Sequence, residues 1–279
     1  MQYTYNDIFK SFMLRNRKLV IVILSLLIVS VLIYVFNEGY SSRMENENFS
    51  EIQSLYLDMR VKDQDIYNML DVKIVNKEVK GIDVSSFQGE IDWNKIKESD
   101  IDYVMIRCGF RNLTNSELHV DKYFYRNIEA VNKLGIPAGV YFYSTAINER
   151  EAIEEASFVL NIIKDYDITY PIAYDFEMFN QNRTLGVSDK KINNNALKFL
   201  DYIEVHGYYG MLYTNLRAIE NHWNLEKFND YKIWYAQYID IPTYDGNYDM
   251  WQYSDTGRVD GILGDVDLNY SYIAYEVIE

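Results

Sequence analysis

"YPIAYDFEMFN", residues 170–180, joins a proline lead-in and an apolar run to two acids, Asp175 and Glu177, two residues apart. Ile172, Ala173, Tyr174 and Phe176 make the stretch read as a buried strand. Side chains alternate faces along a strand, so Asp175 and Glu177 point the same way. Desolvation and mutual repulsion both oppose two carboxylates on one face of an apolar strand. Where the strand sits in the fold says what the chain gains from them.

Upstream, strands and helices alternate. "KGIDVSSF" reads as a strand and "DWNKIKES" as a short helix, followed by the strand "YVMIRCGF". "VDKYFYRNIEAVNKLG" reads as a helix stopped by Gly135. The strand "PAGVYFYS" and the helix "NEREAIEEASFVLNIIKDY" come next, and the opening stretch is the fourth strand. Downstream, a helix over about 187–206 ends at Gly207, "YGMLYTNL" is a fifth strand, and a short helix follows near 217–223.

Such alternation implies right-handed crossovers and a parallel sheet. After residue 232 only loops separate the strand-like runs "KIWYAQY", "YDMWQYS" and "DVDLNY". Five βα units and three further strands make eight, enough to close an α/β barrel with an incomplete helical coat. A doubly wound open sheet is the alternative. In both, the functional face lies at the C-terminal strand ends. Asp83, Asp175, Glu177, Asp265 and Asp267 are expected there. Closure would make the first and last strands neighbours, so these acids would converge on one pocket. Crowding would then raise one carboxyl's pKa and make it a proton donor near neutral pH.

The N-terminus has a different character. Residues 19–36, "LVIVILSLLIVSVLIYVF", are uncharged and apolar, near the minimum length for a membrane-spanning helix. Lys10, Arg15, Arg17 and Lys18 precede them, and Glu38, Glu45 and Glu47 follow. The positive-inside rule therefore predicts a cytoplasmic segment 1–18 and an extracytoplasmic bulk. A cleaved signal peptide is the rival, but its apolar core is usually shorter and no clear small-x-small site follows Phe36. Polar residues 37–79 read as a stalk and residues 80–279 as the folded domain.

A net charge of −15 argues against nucleic acid as a partner. The single Cys108 leaves no intramolecular disulfide or multi-cysteine zinc site. No H-E-x-x-H, G-x-S-x-G or phosphate-binding glycine loop occurs. Asp265, Asp267, Asn269 and Glu276 have calcium-loop spacing, but Tyr270 stands where the sharp turn needs glycine. No metal or cofactor is expected.

"GIDVSSFQGEIDW", "YVMIRCGF", "DKYFYRNIEAVNKLGIPAGVYFYS", "AYDFE", "WYAQY" and "MWQYSDTGRVDGILGDVDLNY" occur in that order. Together, over about residues 80–272, they resemble the glycoside hydrolase family 25 lysozymes, the Chalaropsis-type N-acetylmuramidases. The resemblance implies a flattened (β/α)5β3 barrel. It also implies hydrolysis of the β-1,4 bond between N-acetylmuramic acid and N-acetylglucosamine in peptidoglycan, on a bacterial cell wall. It casts Glu177 as general acid, Asp175 as the stabilising carboxylate, and Asp83 and Asp267 as the first- and last-strand acids. Phe142 stands between Tyr141 and Tyr143 where the family usually has histidine, and by alternation it should point away from them.

Tyr141, Tyr143, Tyr213 and Trp251 are candidates to stack on sugars, and Gln252 to bond substrate hydroxyls. The expected protein is a monomer anchored to the bilayer through residues 19–36 and acting on peptidoglycan. An inactive glycan-binding tether and a hydrolase of another N-acetylated glycan are the competing functions.

Overall fold

The computed structural model describes residues 72–177 and 183–277. The expected anchor, residues 19–36, lies outside them, as does the expected stalk up to residue 71. Among the described residues no helix is long and apolar enough to cross a membrane.

Among the described residues nine strands and five α-helices follow in order. They are β1 (Val72–Val84), α1 (Trp93–Glu98), β2 (Tyr103–Arg111), β3 (Leu118–Val120), α2 (Phe124–Leu134), β4 (Ala138–Tyr143) and α3 (Glu149–Ile163). Then come β5 (Ile172–Asp175), α4 (Asp189–Val205), β6 (Gly210–Asn215), α5 (Leu216–Asn221), β7 (Lys232–Ala236), β8 (Met250–Gly257) and β9 (Val266–Val277). Gly135 and Gly207 end α2 and α4 with positive φ, 61° and 87°, as expected of glycine there. β3 is a short hairpin arm on β2.

The remaining eight strands close on themselves, since β1 pairs in parallel with β2 and antiparallel with β9. This excludes the open sheet. The helices follow the first five barrel strands, and β7–β9 are joined by loops. The five-plus-three arrangement of the sequence reading therefore holds.

One direction differs from expectation. β9 runs antiparallel to both neighbours, so Asp267 lies at its N-terminal end and not at a C-terminal one. Because the strand is reversed, that end is still on the Asp83 side, and Asp83 and Asp267 are direct register partners.

Alternation sorts the side chains into two layers. Ile82, Val104, Ile106, Val140, Ile172 and Leu212 face outward and pack under the helices with Ile128, Val159 and Phe199. Their neighbours Tyr103, Met105, Ala173, Met211, Trp234 and Met250 fill the interior. Phe142 belongs to the outer layer, against Phe158 and Phe199, so it does point away from the flanking tyrosines. Cys108 is buried in the same layer.

β1 begins eight residues before the domain boundary expected at residue 80. Residues 72–76 and 79–83 pair with β9, and a register shift separates the two runs. That irregularity breaks the two-residue alternation, which is why the segment reads as a polar stalk. Val72 and Val79 are buried in the interior cluster with Tyr275. A chain beginning at Lys80 is therefore expected to be less stable than one beginning at Asp63. Loss of two buried valines alone is worth about 3–6 kcal/mol, to be read as a lower urea midpoint. Equal midpoints would show that residues 72–79 add nothing to the barrel.

Candidate active site

The inward positions at one end of the barrel are polar. β1 contributes Asp83, β2 Arg107, β4 Tyr141 and Tyr143, β5 Asp175, β6 Tyr213, β8 Gln252 and β9 Asp267 and Asn269. Glu177 lies two residues beyond the end of β5. The structure thus gathers the four acids singled out by sequence, together with Tyr141, Tyr143 and Tyr213.

Asp83 is 4% exposed, and its Oδ2 accepts bonds from Gln252 Nε2 and Asn269 Nδ2, both at 2.8 Å. Burial pushes its carboxyl up to about 6, and the two amides oppose the rise. Asp267 rises further, to about 8, through burial and then the neighbouring Asp83 charge. The two side chains also hydrogen-bond each other. They share a proton that Asp267 carries, because the amides stabilise the anion on Asp83.

Asp175 is 5% exposed, and its Oδ1 is buried with no hydrogen-bond partner among the described residues. Burial holds its carboxyl well above the usual range; Glu177 adds to this and Arg107 opposes it. Glu177 is more open and is also raised, by burial and then by Asp83. The sequence reading expected Asp175 to be the ionised member. Burial instead works against its charge more strongly than against that of Glu177. Burial, followed by the acid charges, raises the phenols of Tyr141, Tyr143 and Tyr213, so all three remain proton donors facing the cluster.

Two of the candidates have protein partners of their own. Gln252 is 3% exposed, donating to Asp83 and accepting from Tyr213 Oη at 2.8 Å and Tyr238 Oη at 3.0 Å. It orients Asp83 and has no carbonyl free for a sugar. Trp251 alternates to the outer face of β8, against Tyr253 and Tyr270, with Nε1 on the Gln237 carbonyl at 2.9 Å. The antiparallel register of β8 and β9 puts Gln252 beside Asn269 and sends Trp251 the other way.

Four residues were not anticipated: Arg107, Asp121, Asn269 and Tyr238. Arg107 was detectable by the same signal as Asp175, a charge interrupting the apolar run "YVMIRCGF". Asn269 was detectable as the same-face neighbour of Asp267. The calcium spacing has no structural counterpart. Asp265 pairs with Arg258 at 2.8 Å, Asn269 bonds Asp83, and β9 runs straight through. Among the described residues no cluster of His, Cys, Asp or Glu is placed to hold a metal ion.

Comparison with known proteins agrees with this geometry. Residues 82–262 match the family described as Glycosyl hydrolases family 25. The match includes Asp83, Arg107, Asp175 and Glu177, and ends before Asp267. An autolytic lysozyme of Clostridium acetobutylicum is 31% identical over 192 residues, 68% of this chain and 55% of that protein. The chain thus spans little more than half of that relative's length. Lysozyme M1 of Streptomyces globisporus is 26% identical over 212 residues, covering 68% of this chain and 67% of that protein. The autolysin LytC of Streptococcus pneumoniae, solved with a synthetic peptidoglycan ligand, superposes with a TM-score of 0.61 at 28% identity, over 71% of this chain and 47% of LytC. On the family match, the closed barrel and the acids gathered at its end, the chain belongs to glycosyl hydrolase family 25.

Proposed function

We propose that the protein hydrolyses the β-1,4 bond between N-acetylmuramic acid and N-acetylglucosamine in peptidoglycan. The observation that carries this reading is the buried Oδ1 of Asp175, without a hydrogen-bond partner among the described residues, beside Glu177 in a cluster of raised carboxyls. An unpartnered buried carboxylate oxygen is costly. The N–H of a substrate acetamido group would satisfy it.

That contact also resolves the order of charging. A hydrogen bond donated to Asp175 favours its anion and shifts the pair's proton to Glu177. Glu177 then protonates the glycosidic oxygen as the C1–O bond breaks. Asp175 stabilises the positive charge developing at C1 by holding the acetamido group, whose carbonyl oxygen attacks that carbon. Water completes the hydrolysis and returns a proton to Glu177. Asp83 and Asp267 hold the floor of the site through their shared proton, and Tyr141, Tyr143 and Tyr213 offer hydroxyl donors and ring edges to the sugars.

The lysozyme relatives and the peptidoglycan-bound autolysin support the choice of substrate. The hydropathy and charge of residues 1–36 support a single-pass anchor with a cytoplasmic N-terminus. A stalk ending by residue 71 would keep a monomeric domain close to the outer surface of a bacterial membrane, within reach of nearby glycan strands.

The test is to incubate the full-length protein with purified peptidoglycan, reduce the products and identify them by mass spectrometry. Fragments with a reducing-end muramic acid are expected. Reducing-end glucosamine would replace the proposed bond with its neighbour in the glycan. Wall binding without any cleavage would favour the tether.

A further inference from the structure

The mechanism needs Asp175 charged and Glu177 neutral, whereas burial favours the reverse. The titratable groups around the pair do not help. Asp83 faces it from β1, Tyr141 and Tyr143 from β4, Tyr213 from β6 and Asp267 from β9, with Tyr238 just beyond β7. Each is an acid or a phenol. Arg107, from β2, is the one cation among these inward-facing groups: it is the register partner of Tyr141 on β4, the strand whose other edge sets Tyr143 beside Asp175, and its charge favours the Asp175 anion. The charge that reaches Glu177 is that of Asp83.

The placement of Arg107 is built into the fold. Its side chain is 15% exposed. Nε lies 2.9 Å and Nη2 2.7 Å from Asp121 Oδ2, and Nη2 donates to Ser86 Oγ at 2.8 Å. The Phe87 and Phe110 rings lie 5.1 Å and 5.7 Å from the guanidinium. Asp121 is itself fixed by the Ser86 amide at 3.0 Å and the Tyr123 amide at 2.9 Å. One carboxylate therefore ties β2 to the turn that follows Asp83 and to the start of α2. The guanidinium cannot be deprotonated in a protein, so its charge is present at every working pH.

We propose that Arg107 is a positioning residue that stabilises negative charge on Asp175 and thereby biases the pair's proton towards Glu177. The proposal rests on the assignment of Glu177 as proton donor, and its test does not depend on turnover alone. Asp175 is titrated by carboxyl ¹³C NMR in the full-length protein, kept in detergent. Wild type is compared with Arg107→Met, which removes the charge, and Arg107→Lys, which keeps it. The pH profile of kcat/KM on peptidoglycan is measured in parallel.

Removing a cation destabilises the anion, so Asp175 in Arg107→Met is expected to titrate at higher pH than in wild type. The acid limb of the profile should move the same way, and the maximum should fall. Arg107→Lys should stay near wild type in both readouts. Arg107→Gln, which can still donate to Ser86, takes the place of the Met variant if that one does not fold. An Asp175 titration unmoved by loss of the charge overturns the proposal, even if activity drops. So does a Lys variant displaced as far as the Met variant. If the wild type cleaves nothing, the hydrolytic reading fails, while the NMR titration still decides the role of Arg107.

Discussion

Glu177→Gln is expected to lower the rate of peptidoglycan hydrolysis by about 10²–10⁴-fold, the range that a positioned general acid contributes. The amide keeps the shape of the carboxyl but has no acidic proton for the leaving oxygen. The barrel should not suffer. An acid whose folded-state pKa is raised binds more protons folded than unfolded, so its contribution to stability falls as pH rises past its unfolded value. Glu177 is such an acid. Replacing it should leave the melting temperature at pH 7 unchanged or higher, and the difference should shrink near pH 4. Activity and melting curves measured together decide the matter. A variant that still cleaves at near wild-type rate removes Glu177 from the mechanism. A variant that melts well below wild type would instead make Glu177 part of the scaffold.

The wild-type profile follows from the same direction of shift. Glu177 must hold its proton to act, and burial raises its pKa. The alkaline limb of activity should therefore lie above the ordinary carboxylate range. This limb reports on the pair and not on either acid alone, because the two titrations are coupled.

The chemistry was more legible in the sequence than the walls that shape it. Asp175 and Glu177 stand out because a strand alternates and an apolar face does not tolerate charge without cause. That argument needs only local geometry, and it would have found Arg107 if applied to β2. Trp251 and Gln252 were named together as sugar contacts although neighbours on a strand face opposite ways, and it is Gln252 that turns inward beside Asn269. The clustering of Asp83 with Asp267 was foreseen from closure alone, while the reversed strand that achieves it was not. Asp121 was hidden for another reason. It follows a three-residue strand and looks like any turn aspartate, and only the tertiary fold brings Ser86 and Arg107 to it. The early start of β1 was masked by the shift in its pairing with β9.

The second large effect is expected behind the site, where the helical coat covers the strand ends that carry Tyr143 and Asp175. Glu155 on α3 is wholly buried, and Arg111 at the end of β2 is 4% exposed. Arg111 Nε donates to Glu155 Oε1 at 2.7 Å, and its other nitrogens donate to the carbonyls of Ser116 and Glu151. Ser144 Oγ donates to Glu155 Oε2 at 2.6 Å and lies 2.9 Å from Tyr174 Oη. The Ser144 amide donates to the Asp175 carbonyl at 2.7 Å, which ties the network to the site. Burial pushes Glu155 up to about 7 even though Ser144 and Arg111 both favour its anion. Desolvation thus outweighs the ion pair, and the two partners are not equivalent. Without Arg111, Glu155 can take a proton and become neutral. Without the Glu155 charge, Arg111 cannot become neutral and remains a buried cation, offset only by the half-exposed Glu154 carboxylate 3.5 Å from Nη2. Glu155→Gln should therefore cost about 3–5 kcal/mol, the range for breaking a buried pair, and more than Arg111→Met does. Urea denaturation at pH 8, where wild-type Glu155 carries its charge, gives the comparison. Raising the pH should widen the loss in Arg111→Met, because a buried acid with raised pKa loses stability as it is forced to ionise. The opposite ranking, with Arg111→Met the more damaging at pH 8, would mean that the hydrogen bonds Arg111 donates matter more than the charge they surround.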